Sequence, residues 1–247
     1  MQNLNQCSNS GVKTMYVSAV IAAGGKGKRM NSVKSKQYLP VKGFPILYYT
    51  LTVFETLREI DEIILVVGEQ DLDFVRKDII LKYKFKKTRL IEGGLERQDS
   101  VYNGLRSCSP QTDIVVIHDG VRPFITHGII LESIEAAKLY KAAGVAVPVK
   151  DTIKIVEDGF IKATPDRRKL YAIQTPQTFM YEVILKAHEI ARKEGFYGTD
   201  DAVLVERLGY KVKIIDGSYE NIKITTPEDI IIAEAFLNLG FGEFKKR

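Results

Sequence analysis

The chain has 247 residues, 45% hydrophobic and 27% charged, which is enough for one large α/β domain with its own core and too apolar for disorder outside the ends. Its 36 Lys and Arg against 31 Asp and Glu leave a formal charge of +5; with no Trp and no stretch that interleaves basic and aromatic residues, the expected partner is an anionic small molecule and not nucleic acid. Two cysteines, Cys7 and Cys108, lie far apart and outside any CxxC or Cys/His cluster, so neither a disulfide framework nor a structural zinc is indicated and a reducing cytoplasm is the default compartment.

Residues 1–14, "MQNLNQCSNSGVKT", are polar, lack the apolar segment of a signal peptide and are expected to form a flexible extension. No later run approaches the ~20 apolar residues of a membrane span, so no membrane partner is expected. Apolar runs of strand length recur at 16–23, 62–67, 88–94, 113–119 and 144–149. Between them, around 45–58, 71–84, 98–108 and 127–143, apolar residues follow helical spacing. That alternation predicts βαβ units and a mostly parallel sheet. The rhythm changes at 151–170, which reads as two short strands around the turn Glu157-Asp158-Gly159 and carries Lys154, Lys162, Arg167, Arg168 and Lys169. This stretch is too poor in apolar residues to bury both faces, so a projecting arm, about 148–174, is expected to pack on a second subunit. Helices near 180–194 and 200–208, strands at 210–216 and 221–225, and a last helix capped by Thr226 with Pro227 at its first position complete one domain over 15–247.

The first strand runs into "VIAAGGKGKRM" (20–30). No Lys-Ser/Thr pair follows the glycines, so this is no ATPase P-loop, and Met30 stands where a dinucleotide fingerprint needs its third glycine. What remains is a strand that delivers Ala22, Ala23, Gly24 and Gly25 to the carboxyl edge of a sheet, where backbone amides can approach a polyphosphate and Lys26, Lys28, Arg29 and Lys36 add positive charge. A plain glycine turn with solvated lysines stays open from this stretch alone. "EGGLERQDSVYNGL" (92–105) repeats the pattern: Gly93 and Gly94 can expose backbone to a flat ligand beside Arg97 and Ser100, or Asp99 or Ser100 can simply cap the helix. In "VVIHDGVRPF" (115–124), Asp119 and Arg122 at a strand end must pair with each other or meet ligand and metal, whereas His118 reads as structural. Arg167, Thr175, Thr199 and Lys223 each stand beside a strand or helix end, and together with the three strand ends they suggest a cleft for more than one phosphate.

The ordered blocks "AAGGKGKRM", "SKQYLPVKGFPIL", "GGLERQDSV", "HDGVRPF", "PVKDTIK", "DRRKLYAIQTPQ", "GTDDA" and "NIKITTPEDI" closely resemble the 2-C-methyl-D-erythritol 4-phosphate cytidylyltransferases of the non-mevalonate isoprenoid pathway, from about Tyr16 to the last helix. The resemblance implies a Rossmann-like nucleotidyltransferase fold, a homodimer joined through the arms, and Mg2+-dependent transfer of CMP from CTP to the sugar-alcohol phosphate. It places Ala23, Gly24, Gly25, Gly27 and Arg29 at the triphosphate with Lys36, and makes Arg29 and Lys36 the transition-state stabilisers. Gly94 and Ser100 match cytosine readers, with Arg97 alongside. Asp119, Gly120, Arg122, Thr175, Thr199 and Lys223 match the acceptor site, which Thr152 and Arg167 reach from the partner's arm. Mg2+ is expected mainly on the triphosphate, with Asp119 nearby. Two positions depart from the pattern: Leu95 stands where members often carry an acid, and Ala22 where many have proline. The nearest rival is a ribitol 5-phosphate cytidylyltransferase, which shares the glycine loop and the closing "KITT"; a non-catalytic nucleotide-binding module is the rival from another class.

Overall fold

The computed structural model describes residues 15–25 and 35–244. Residues 1–14, expected to form a flexible extension, and Gly27 and Arg29, expected at the triphosphate, lie outside the described residues. In chain order the elements are β1 (Tyr16–Ala22), the short ribbon β2 (Pro40–Val41) and β3 (Phe44–Pro45), α1 (Ile46–Thr56) and β4 (Glu62–Val67). Next come α2 (Leu72–Phe74), which continues as a π-helical turn over Val75–Leu81, then β5 (Thr88–Glu92), α3 (Arg97–Arg106), β6 (Thr112–Asp119), α4 (His127–Tyr140) and β7 (Ala142–Pro148). The arm is β8 (Ile155–Glu157) and β9 (Phe160–Ala163), and the chain closes with β10 (Tyr171–Met180), α5 (Tyr181–Lys193), α6 (Ala202–Arg207), β11 (Lys213–Asp216) and α7 (Pro227–Asn238).

The main sheet has seven strands in the order β11-β7-β10-β6-β1-β4-β5, parallel throughout except that β10 runs antiparallel to both neighbours. Its central strands are apolar on both faces because helices cover both. Ile63 and Leu65 of β4 join Leu51 and Phe54 of α1 on one side; Ile64 and Val66 join Val101 and Leu105 of α3 on the other. All eight are buried, each contributing about 1.5–3 kcal/mol as a large aliphatic or aromatic side chain removed from water. Gly104 lets α3 lie close: a Cβ there would sit 2.5 Å from Val20 Cγ1. Because β1, β4, β5 and β6 are parallel, the loops that follow them emerge at one edge, the position at which open α/β sheets bind ligands.

The expected arm is present, turning through positive φ at Asp158 (51°) and Gly159 (82°), and its Ile155, Val156, Phe160 and Ile161 are exposed. The last helix is capped as expected, Thr226 and Asp229 forming a reciprocal capping box with Pro227 at the first turn. Three elements differ from expectation. β10 is a ten-residue strand in the middle of the sheet, hidden in the sequence because Gln174, Thr175, Gln177 and Thr178 interrupt the apolar pattern and its register with β7 breaks around Pro176, which has no N–H to give. The stretch 221–225 is not a strand; it is tied down by Ile224 N–H to the Val121 carbonyl and by the Asn221 side chain to the Thr175 carbonyl. The ribbon β2–β3, turning at Lys42 and Gly43 with positive φ, had only "VKG" as its signal. Among the described residues no helix is long and apolar enough to cross a membrane.

Candidate active site

The first wall of the site is the loop after β1. Ala23 N–H bonds to the Val66 carbonyl at 2.8 Å, and the buried Gln37 side chain donates to the Ala23 carbonyl at 2.6 Å, so the loop is held from both sides. Among the described residues, packing does not demand Gly24 or Gly25: a Cβ at Gly24 would find ordinary contacts no closer than 3.5 Å, and one at Gly25 would meet none of them within 4 Å. Gly25 is exposed and both glycines line the cleft, so backbone there is accessible to a ligand. Gly94 is the opposite case, since a Cβ there would lie 2.3 Å from Asp99 Cβ at the start of α3.

The second wall is that helix start. Neither capping residue suggested by the sequence is the N-cap: Glu96 holds it, in a reciprocal box with Asp99. Ser100 instead accepts the Gly94 N–H at 3.0 Å and donates to the Glu96 carbonyl at 3.1 Å, fixing the Gly93-Gly94 turn over the helix. Arg97, in the first turn, reaches back across the cleft floor.

That floor is a charge cluster around Asp119, the last residue of β6, whose side chain is only 8% exposed. Its carboxylate meets Arg97 Nε at 3.1 Å, Lys223 Nζ at 2.8 Å and Arg122 Nε at 3.8 Å. Burial alone would raise its pKa, but Arg97, Lys223 and Arg122 outweigh burial and hold it below the usual carboxylate range. Arg97 Nη1 goes on to a second acid, Asp201, at 2.8 Å. The Asp119–Arg122 pairing foreseen from the strand end is therefore the longest of the three contacts. Arg122 is anchored elsewhere, through Nη1 to the Asn221 carbonyl at 2.8 Å. His118 is structural, as expected: it bridges the Thr175 hydroxyl and the Arg122 carbonyl at 3.1 Å each, and burial pulls its pKa down to about 4.

These walls enclose a cleft of about 680 Å3. Of the residues singled out in the sequence, Ala23, Gly24 and Gly25 line it from the loop after β1, Lys36 from the short helical turn Lys36–Tyr38, Gly94, Arg97 and Ser100 from the turn into α3 and its start, and Asp119 and Lys223 from the floor. Gly120, Arg122 and Thr175 stand behind the floor, where Thr175 accepts the Asp119 N–H and a Cβ at Gly120 would press on Ala23 at 3.0 Å. Thr199 is exposed on the connection between α5 and α6. Thr152 and Arg167 are exposed on the arm and are not among the described residues lining the cleft of their own chain; Arg167 Nη1 donates to the Lys150 carbonyl at 2.7 Å. Sequence reasoning missed Gln37, Asn221 and above all Asp201, although "GTDDA" had drawn attention to its neighbour Thr199. A carboxylate directly before the apolar run Ala202–Val205 was the available signal.

Among the described residues no group of three or more His, Cys, Asp or Glu side chains is placed to hold a metal ion. A glycine-lined sheet edge opposite a helix start, floored by cations, is a nucleotide-binding site of the Rossmann-like α/β class, and the fold is that of solved nucleotidyltransferases. The 2-C-methyl-D-erythritol 4-phosphate cytidylyltransferase (IspD) family pattern matches residues 17–239. The chain is 53% identical over 225 residues to that cytidylyltransferase of Caldanaerobacter subterraneus subsp. tengcongensis, covering 90% of this chain and 99% of the relative. It is 52% identical over 225 residues to that of Clostridioides difficile, covering 91% and 94%. The solved 4-diphosphocytidyl-2C-methyl-D-erythritol synthase of Anaerococcus prevotii superposes with a TM-score of 0.82 at 40% identity, over 94% of this chain and all 100% of that one. The chain belongs to the 2-C-methyl-D-erythritol 4-phosphate cytidylyltransferase family.

Proposed function

We propose that the chain transfers CMP from CTP to 2-C-methyl-D-erythritol 4-phosphate, giving 4-diphosphocytidyl-2-C-methyl-D-erythritol and pyrophosphate, in the cytoplasm. Family membership supports the reaction; the observation that carries it to particular residues is Asp119 held among Arg97, Arg122 and Lys223 directly beside the open glycines of the β1 loop.

The nucleophile is a phosphate monoester whose second pKa is about 6, so it is largely dianionic at neutral pH and needs no general base. That agrees with His118 beside the floor, which is buried with both ring nitrogens engaged and cannot serve as a base. The difficulty is to bring two polyanions together, which calls for fixed positive charge where negative charge gathers. In this reading Ala23, Gly24, Gly25 and Gly27 give backbone to the triphosphate, and Arg29 and Lys36 stabilise the five-coordinate phosphorus. Gly94, Arg97 and Ser100 form the base side. Lys223 and Arg122, with Asp119, Gly120, Thr175 and Thr199, place the acceptor. The exposed apolar side chains of the arm suit a homodimer in which the partner's Arg167 and the partner's Thr152 complete the acceptor site.

A divalent cation fits only in a limited way. Asp119 is ionised and reaches the cleft, but its oxygens already meet Arg97 and Lys223. That donor set suits Mg2+ that arrives on triphosphate oxygens and borrows one carboxylate, and not an ion caged by protein. Asp119 would hold it, and the ion would neutralise phosphate charge at that point.

The deciding experiment measures pyrophosphate release with CTP, UTP, ATP and GTP against methylerythritol 4-phosphate and ribitol 5-phosphate. The expected result is turnover with CTP and methylerythritol 4-phosphate. Preference for ribitol 5-phosphate would overturn the acceptor, and nucleotide binding without any pyrophosphate would reduce the chain to a binding module.

A further inference from the structure

We propose that Asp201 and His188 form a buried positioning pair that decides how Arg97 divides its guanidinium between two carboxylates, and thereby keeps Asp119 and Lys223 in register. The inference rests on reading the cleft as the cytidylyltransferase site. Arg97 gives Nε to Asp119 at 3.1 Å and Nη1 to Asp201 at 2.8 Å. A guanidinium ordinarily grips one carboxylate with two parallel bonds. The split geometry persists only while both acids are charged and fixed.

Asp201 is fixed from behind. Its backbone N–H goes to Gln177 Oε1 at 3.0 Å, and its Oδ1 lies 3.3 Å from His188 Nε2, with both side chains 1% exposed or less. A carboxylate can only accept, so His188 carries its proton on Nε2. Its buried Nδ1 has no hydrogen-bond partner among the described residues, an unfavourable placement that orientation toward Asp201 explains. Neither Asp201 nor His188 is among the described residues lining the cleft, and the lining residue that Asp201 holds is Arg97. With Asp201 neutral, Arg97 would be drawn onto Asp119 in bidentate fashion. That grip needs Asp119 Oδ2, which now holds Lys223 Nζ at 2.8 Å, and Lys223 would be displaced.

The test is Asp201→Asn, which keeps the side chain's shape, assayed in the full-length protein. The kcat/KM for methylerythritol 4-phosphate is expected to fall about 10- to 100-fold, as for a reacting group misplaced by roughly 1 Å, and the KM for CTP to rise as well, because Arg97 also borders the base side. Arg97→Lys supplies the control, because an ammonium cannot reproduce the fork. If Asp201 acts through Arg97, the double variant R97K/D201N is no worse than R97K alone to within about twofold. Losses that multiply would overturn the proposal in favour of a merely structural role, as would a folded D201N with wild-type kcat/KM. Should D201N not fold, His188→Gln takes its place in the same cycle, with an expected loss of about 3- to 10-fold and the same non-additivity. Absence of transfer by the wild-type chain would sink the cytidylyltransferase reading instead. The positioning pair is then read from the Arg97 Nε–H resonance of the ligand-free protein, expected to shift and broaden in D201N; an unchanged resonance overturns it.

Discussion

Asp119→Asn removes one charge and almost no volume from the cleft floor, so it isolates what that charge does. The wild-type carboxylate gathers Arg97, Lys223 and Arg122 within 3.8 Å, and together with Asp201 it leaves the cluster one positive charge in excess; the variant leaves two. Breaking a buried ion pair costs about 3–5 kcal/mol. Here the Arg97 and Lys223 side chains are 32% and 38% exposed, so water recovers part of the lost attraction and about 2–3 kcal/mol is expected. For a chain of this size that is a fall in Tm of about 5–10 °C. Turnover should suffer more, about 10²-fold in kcat, because the two cations lose their common anchor. The extra positive charge should at the same time leave CTP binding intact or tighter. Urea unfolding of the ligand-free protein and steady-state kinetics measure the two effects separately. The pH dependence supplies a sign. The folded pKa lies below the ordinary 3.8, so the charge's contribution is fully present above that value and is lost as pH falls toward the folded one. The stability gap between wild type and variant should therefore be flat around neutrality and close only below about pH 4. A variant as stable as wild type at pH 7 would refute the claim that this carboxylate holds the three cations together.

His118, buried and neutral, makes an opposite prediction: its folded pKa of about 4 against an ordinary 6.5 means that the unfolded chain takes up the proton first. Stability should fall by about 3 kcal/mol as pH drops from 6.5 to 4, and His118→Asn should flatten that part of a pH-resolved urea series. Lys36→Ala should lower kcat about 10²- to 10³-fold with an unchanged circular dichroism spectrum, and wild-type turnover would remove Lys36 from the chemistry. Mixing Arg167→Ala subunits with Lys36→Ala subunits should restore roughly a quarter of wild-type activity on statistical exchange, one good site in each heterodimer, if the arm works in trans. No recovery would mean that each site is built within one chain.

What could be read from the residues beforehand follows one physical line. Glycines and charges at the ends of apolar strands mark the ligand-binding edge of a parallel sheet, and on that ground Ala23 to Gly25, Gly94 and Asp119 could be placed at one cleft from the residues alone. The capping of α7 and the turn at Asp158-Gly159 were legible because their causes lie within four residues. The pairings were not legible. Arg97 is expected beside the cytosine readers, yet it meets Asp201, 104 positions away, and Lys223, expected in the same acceptor site as Asp119, forms an ion pair with it that no sequence pattern indicates. Both depend on β10, the polar strand that the apolar pattern concealed. It separates β6 from β7, its Gln177 side chain fixes the backbone of Asp201, and its Thr175 anchors both Asp119 and Asn221. The polar residues that spoil β10 as a strand signal are the ones that organise the floor of the site, so concealment and role share a cause. A strand whose inward side chains must hydrogen-bond to a charge cluster cannot also show the alternation of a strand packed in a purely apolar core.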